Sequence, residues 1–318
     1  MNPLIEKIYT KAKSNFKKII LVESNDPRVQ AAAKIITDEK IADIILVDQN
    51  YISSHLEISN QLSQEFYKLR KDKGITLEES QKIIVDPLYF GTMMVKTGLA
   101  DGMVAGAQNT TQATFKPALQ IIKTKPEEKL ISSFFIIEVP DTHFGENGIF
   151  IFADCGLNIN PTAEDLSQIA IQSVKSFKQL IGSTPKVAML SYSSNGSSSG
   201  ESVNKVKLAT DLVKKINPSL IIDGEIQADA AIIPDVATKK TPNSQLQGQA
   251  NILIFPDLNS GNIAYKLVER LSHGKAFGPL TQGINKPIND LSRGCNIEDI
   301  VTTVAITSVQ SISNSLSI

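Results

Sequence analysis

The sequence predicts an α/β protein built as two domains. Three observations lead there: short runs rich in Ile, Val and Phe recur along the chain, amphipathic segments of helical period separate them, and 318 residues suffice for two cores of ordinary size. Hydrophobic residues make up 42% and charged residues 20% of the chain, and mean hydropathy is -0.04. That composition belongs to folded globular chains rather than disordered ones.

Taken in order, MNPLIEKIYTKAKSNFKKIILVES reads as a short amphipathic helix followed by a strand over 18–23. In DPRVQAAAKIITDEK, Asp26 is the expected N-cap and Pro27 the first helical residue, where its missing N–H is one of the orphans anyway. Strands are expected at 43–48 and 102–106, and Lys68, Arg70, Lys71 and Lys73 form a basic cluster on a helix between them. SSFFIIEV (132–139) and IFIFAD (149–154) are strands. Pro, Asp and Gly collect between them in VPDTHFGENG, which marks either a domain boundary near 140 or a hairpin loop. PTAEDLSQIAIQSVKSFKQLI is a helix with Thr162 as N-cap, Asp165 three residues on, and an apolar stripe of Leu166, Ile169, Ala170, Val174, Phe177 and Ile181. Further strands are expected at 186–190, 219–223 and 251–257. The last stretch, NIEDIVTTVAITSVQSI, is one helix with broad apolar faces. The expected division is a first domain over 1–140, joined by the C-terminal helix 296–318, and a second over 141–295.

Charge and motif content narrow the function. Thirty-two basic residues against 33 acidic ones leave a net charge of -1, which excludes a nucleic-acid binder relying on bulk positive charge. No apolar run approaches the length of a membrane span, and the N-terminus lacks the apolar core of a signal peptide. Cys155 and Cys295 lie far apart and fit a reducing, cytoplasmic setting, while the single histidines His55, His143 and His273 match no zinc spacing. Walker, dinucleotide-binding and nucleophile-elbow motifs are absent from the sequence.

What remains is NDLSRGCNIEDIV (289–301), where a turn of Ser292, Arg293 and Gly294 leads into a helix starting at Asn296. A guanidinium one turn from a helix start makes an anion site. Equally, Asn296 and Asp299 have capping-box spacing, and Arg293 could pair with Asp290 or Asp299. The chain contains four arginines, Arg28, Arg70, Arg270 and Arg293, against 28 lysines, so an arginine in such a turn invites a functional reading. The Ser/Gly loop 191–202 and the strand-turn-helix FPDLNSGNIAYK offer two further sets of backbone donors, with ordinary surface connections as the alternative.

Six segments carry a resemblance: DPLYFGTMMVKTGLADGMVAG, TFKPALQIIKT, FADCGLNINPTAEDLSQIA, DGEIQADAA, ANILIFPDLNSGNIAYKLVERL and GPLTQGINKPINDLSRGCNIEDIV. In order and spacing, over nearly the whole chain, they resemble the phosphate acetyltransferase (phosphotransacetylase) family. The resemblance implies two α/β domains with a cleft between them, related to isocitrate and isopropylmalate dehydrogenases, in a homodimer. It implies interconversion of acetyl-CoA plus phosphate with acetyl phosphate plus CoA, with no metal or resident cofactor and stimulation by K+ or NH4+. By position it assigns catalysis to Ser292, Arg293 and Asp299, phosphate binding to Arg293, Ser292 and Gly294, and CoA binding to Arg70 and Lys116. Lys116 stands where the family commonly has arginine, and Asn195 where many relatives carry a basic residue. The alternatives are a longer acyl preference such as butyryl, a non-catalytic acetyl-CoA-sensing module, or a metal-dependent dehydrogenase using Asp223, Asp229, Asp235 and Asp257.

The chemistry constrains the roles. A thiol with pKa near 8.5 is only a few per cent ionised at neutral pH, and an ordinary aspartate near 3.9 is a base too weak by about 6 kcal/mol. Asp299 as base therefore needs burial, or proton transfer concerted with formation of the C–S bond.

Overall fold

The structure is a computed structural model that describes residues 2–312. The first elements are α1 (Pro3–Ser14), β1 (Lys18–Val22), α2 (Pro27–Asp38), β2 (Asp43–Val47), α3 (Gln49–Ser54), α4 (Leu56–Arg70), α5 (Leu77–Ile84), α6 (Pro87–Thr97), β3 (Gly102–Ala105) and α7 (Thr111–Pro117). Next come β4 (Ser132–Glu138), β5 (Ile149–Ala153), α8 (Ala163–Leu180), β6 (Lys186–Leu190), α9 (Glu201–Ile216) and β7 (Ile221–Ile226). They are followed by α10 (Ala228–Ile232), α11 (Pro234–Lys240), β8 (Ile252–Ile254), α12 (Leu258–Leu271), β9 (Lys275–Gln282), β10 (Ile288–Asp290) and α13 (Ile297–Gln310).

Two compact units result, one of residues 5–127 with 284–312, the other centred on 128–283. The first holds a four-stranded parallel sheet in the order β10-β3-β1-β2. Helices cover both of its faces. Gly91 of α6 lets that helix approach Ile20 and Met103, because a Cβ there would press on the Met103 sulfur, while on the opposite face α13 places Thr307 against Gly102. Since all four strands run the same way, the loops after β1, β3 and β10 share one sheet edge, the usual ligand edge of an open α/β sheet.

The second unit holds a six-stranded mixed sheet in the order β7-β6-β8-β5-β4-β9, antiparallel at β5-β4-β9 and parallel elsewhere. The unbroken apolar run of β4 is explained by cover on both faces. Ser132 bonds Gln172 of α8 on one face, and Phe135 stacks on Tyr265 of α12 on the other, with ring centroids 4.0 Å apart. The start of α8 follows the sequence expectation: Thr162 accepts from the Asp165 N–H, and the Asp165 carboxylate accepts in return.

Several expectations need correction. The domain limits lie at 127/128 and 283/284 rather than at 140 and 295/296. β4 and β5 are antiparallel neighbours with Glu138 opposite Ile149, so VPDTHFGENG is a hairpin connection, and β10 pairs with β3, which draws 284–295 into the N-terminal unit. The C-terminal helix ends at Gln310, and 313–318 lie outside the described residues. β9 and β10 were not expected, because Gly, Pro and Asn punctuate their stretch, and the strand expected at 219–223 is shifted to Ile221–Ile226.

In the unit centred on 128–283, a buried carboxylate holds a loop. Asp154, 2% exposed, accepts from the backbone of Ser133, Gly156, Leu157 and Asn158 and from the side chains of Ser133 and Asn158. Asp154→Ala would strand these donors, so it is expected to cost at least about 3 kcal/mol in urea denaturation. The exposed cap removed in Thr162→Ala is expected to cost about 1 kcal/mol; equal losses in the two variants would refute the hub role of Asp154.

Candidate active site

The candidate site is assembled on the edge where β1, β3 and β10 end. After β1 the chain turns at Glu23 with φ of 65°, and the buried Glu23 carboxylate accepts from the backbone N–H groups of Gly106, Ala107, Gln108 and Asn109 and from the Asn109 side chain. A loop whose amides converge on one carboxylate is thereby held in a single conformation. Asp26 caps α2, as its sequence suggests, by accepting from the Arg28 N–H at 2.8 Å.

Arg28 then organises the edge. Its Nε and Nη2 bind the two Asp26 oxygens at 3.0 and 2.7 Å, and Nη2 also donates to the Ala107 carbonyl at 2.9 Å. Nη1 donates to the carbonyls of Arg293 and Cys295, both at 2.9 Å. One guanidinium thus ties together the loops after β1, β3 and β10. The Arg28 hydrogen bond is the main reason the Asp26 carboxyl falls to about 2. In the sequence Arg28 reads as an ordinary helix residue, although the scarcity of arginine applies to it as much as to Arg293.

The turn held by Arg28 carries three of the expected residues. Ser292, Arg293 and Gly294 are all exposed, and the Cys295 N–H donates to the Ser292 carbonyl at 2.9 Å to close the turn. Gly294 has no positive φ, and a Cβ there would meet only the Ser292 Oγ at 3.8 Å, so neither conformation nor packing calls for glycine, and its lack of a side chain leaves open space. Among the described residues the Arg293 guanidinium makes no hydrogen bond or ion pair. Of the two acids considered as its partners, Asp290 is fully buried at the end of β10, and Asp299 closes the capping box with Asn296, accepting its N–H at 2.8 Å. Cys295 is buried next to this turn, and desolvation pushes its thiol up to about 11, out of the nucleophilic range.

The two expected CoA contacts lie in the same unit. Arg70 ends α4, and Lys116 is exposed on α7. Between those helices stands Tyr89 of α6, whose hydroxyl donates to Gln120 at 3.1 Å and whose ring meets Phe66 edge-on at 5.8 Å. Arg70 bears on Tyr89 electrostatically, opposing the burial that raises its hydroxyl. The Ser/Gly loop 191–202 belongs to the other unit, and two of its donors turn inward: Ser193 Oγ and the Gly196 N–H both bind the buried Glu225 at 2.8 Å. Also in that unit, Asp229 pairs with Lys240 at 2.7 Å, Asp223 with Lys214 at 3.5 Å, and Asp257 caps α12. No described helix is long and apolar enough to cross a membrane.

Comparison with known proteins is consistent over the whole chain. The family described as phosphate acetyl/butaryl transferase matches residues 3–308. Phosphate acetyltransferase from Acetivibrio thermocellus is 52% identical over 323 residues, covering 96% of this chain and 97% of its own. The enzyme of the same name from Thermoanaerobacterium thermosaccharolyticum is 50% identical over 324 residues, covering 96% and 99%. A phosphotransacetylase structure from Streptococcus pyogenes superposes with a TM-score of 0.89 at 40% identity, over 98% of this chain and 99% of that one. On this match in sequence and in fold, the chain belongs to the phosphate acetyl/butaryl transferase family.

Proposed function

We propose that this protein transfers an acetyl group between CoA and phosphate by direct attack of the CoA sulfur on acetyl phosphate, both substrates being bound at once. The observation that carries the reading is the Arg293 guanidinium, exposed and unpaired among the described residues, on a turn whose carbonyls are held from behind by Arg28. A fork so placed can take two oxygens of a phosphoryl group and offset the charge that grows on the leaving phosphate. Ser292, exposed beside it, donates to the acetyl oxygen as it becomes an oxyanion. Gly294 leaves room for the phosphoryl group at the turn.

Asp299 has two parts to play. Its carboxylate accepts the Asn296 N–H and so fixes the junction that presents Arg293, and it takes the thiol proton in step with formation of the C–S bond. Concerted transfer removes the need for a free thiolate, which an ordinary carboxylate could not generate. The acetyl carbon gains the sulfur and loses the phosphate oxygen, which departs with the bonding electrons. Arg70 and Lys116 serve the CoA phosphates, with Lys116 as a point charge in place of a fork.

The direct test is phosphate- or arsenate-dependent loss of acetyl-CoA by the purified chain in K+ or NH4+ buffer; no loss would overturn the reading. Arg293→Lys is expected to lower kcat at least about tenfold although charge is kept, and near wild-type turnover would remove Arg293 from the site. Asp299→Asn is expected to lower kcat with little change in KM for CoA, whereas a pure KM effect would reduce the residue to its capping role. Lys116→Arg is expected to lower KM for CoA by about threefold through restored two-point contact, and an unchanged KM would place Lys116 away from the CoA phosphates.

A further inference from the structure

Among the described residues, the carboxylates of Glu23, Asp154, Glu225 and Asp290 are buried at strand ends, and one is treated unlike the others. Glu23, Asp154 and Glu225 are each surrounded by hydrogen-bond donors. Asp290, fully buried at the end of β10, accepts from the Thr111 hydroxyl through Oδ2 at 2.6 Å, while its Oδ1 has no hydrogen-bond partner. The Thr114 hydroxyl bears on the same carboxyl and is itself buried without a partner. Gly106, with φ of 108°, packs against Oδ1 so closely that a Cβ there would strike it. A carboxylate so poorly compensated favours its protonated form. Burial, reinforced by the negative charge of Glu23, raises it to about 7 despite the Thr111 bond. The elements packed on β10 are β3, α7 and α13. β3 has no ionisable side chain, α7 has Lys116, and α13 has Glu298 and Asp299.

Thr111 sits at the other end of this bond. It is half-buried in the first turn of α7, and its neighbour Thr110 supplies the helix cap, which leaves the Thr111 hydroxyl to Asp290. Asp290 is two residues before Ser292, and the Arg28 guanidinium joins the Ala107 carbonyl to those of Arg293 and Cys295. The loop that leads into Thr111 therefore runs beside the turn that carries Arg293.

We propose that the Thr111–Asp290 pair sets the polarity of an anion-binding hydroxyl: with Asp290 protonated, Thr111 donates to a phosphoryl oxygen held by Arg293, and with Asp290 ionised it does not. The ionised carboxylate claims the Thr111 hydrogen, leaving only oxygen lone pairs to face an anion. A proton on Oδ2 reverses the bond, so that the carboxyl O–H donates to Thr111 Oγ1 and the hydroxyl hydrogen is released toward the ligand. The sign follows: anion affinity is full below about pH 7 and declines as pH rises through the Asp290 midpoint. Thr111 is then a ligand-contacting residue and Asp290 a positioning residue that acts through it.

This inference deepens the acyl-transfer reading and rests on it for the identity of the anion. Two probes separate them, sulfate binding by calorimetry and KM for acetyl phosphate, because both anions keep their charge across neutral pH. Wild-type sulfate affinity should weaken toward about tenfold per pH unit above the midpoint. Asp290→Asn, which has no titrating carboxyl, should bind sulfate with one affinity at every pH. Thr111→Val should bind weakly and without pH dependence, and Thr111→Ser should keep the wild-type dependence. Retention of the wild-type pH profile in Asp290→Asn, wild-type affinity in Thr111→Val, or no sulfate binding at all would overturn the proposal. Should Asp290→Asn fail to fold, the two Thr111 variants decide alone. Sulfate binding that follows this pattern in a protein that does not turn over acetyl phosphate would support the hydroxyl switch and sink the acyl-transfer reading.

Discussion

The ligand edge of the parallel sheet depends on one side chain, the Arg28 guanidinium. Three loops meet there, each after a separate strand: Glu23 joins the first two, and Arg28 joins all three. Arg28 binds the Asp26 carboxylate and three backbone carbonyls at 2.7 to 3.0 Å, using every nitrogen of its fork. Lysine cannot substitute geometrically, because one ammonium cannot face a carboxylate and three carbonyls that lie in different directions. The arrangement also divides labour between two arginines. Arg28 is used up on the protein itself, and its grip on the 293–295 backbone leaves the Arg293 side chain directed to solvent.

A second constraint is the treatment of buried negative charge. Glu23, Asp154 and Glu225 replace lost water with backbone N–H groups, and each freezes a loop at the end of a strand. Asp290 receives one hydroxyl and the pressure of Gly106, and the same physics moves it toward the neutral form. Structural stiffness and sensitivity to pH are two outcomes of one rule, decided by how many donors surround the carboxylate.

Much of this was legible beforehand. The strands over 18–22, 43–47, 132–138 and 149–153 stand where runs of Ile, Val and Phe placed them, and the boxes Thr162/Asp165 and Asn296/Asp299 close as their spacing implies. β10 was not legible, because three residues flanked by Pro and a turn carry no periodic signal and become a strand only by pairing with β3. The division near 140 failed for a related reason. Pro, Asp and Gly announce a change of direction, and the same residues serve a hairpin within one sheet as well as a boundary between domains. The Ser/Gly loop 191–202 had the composition of a phosphate cradle, yet its Ser193 hydroxyl and Gly196 N–H are taken by Glu225, about 30 residues further on.

The sequence by itself determined what is local: helix starts, caps, strand composition, the turn that exposes Ser292, Arg293 and Gly294, and the motifs whose order and spacing resemble one family. Each of these rests on residues within four positions of one another or on a pattern that can be read along the chain. Only the tertiary structure decided that Arg28 reaches carbonyls 265 and 267 residues away, that Arg293 is left without a partner among the described residues, and that Asp290 is buried against Thr111. The reason is physical. Desolvation and carbonyl recognition belong to surroundings assembled from distant segments, and no spacing within one segment encodes how many donors a carboxylate will meet when the sheet closes over it.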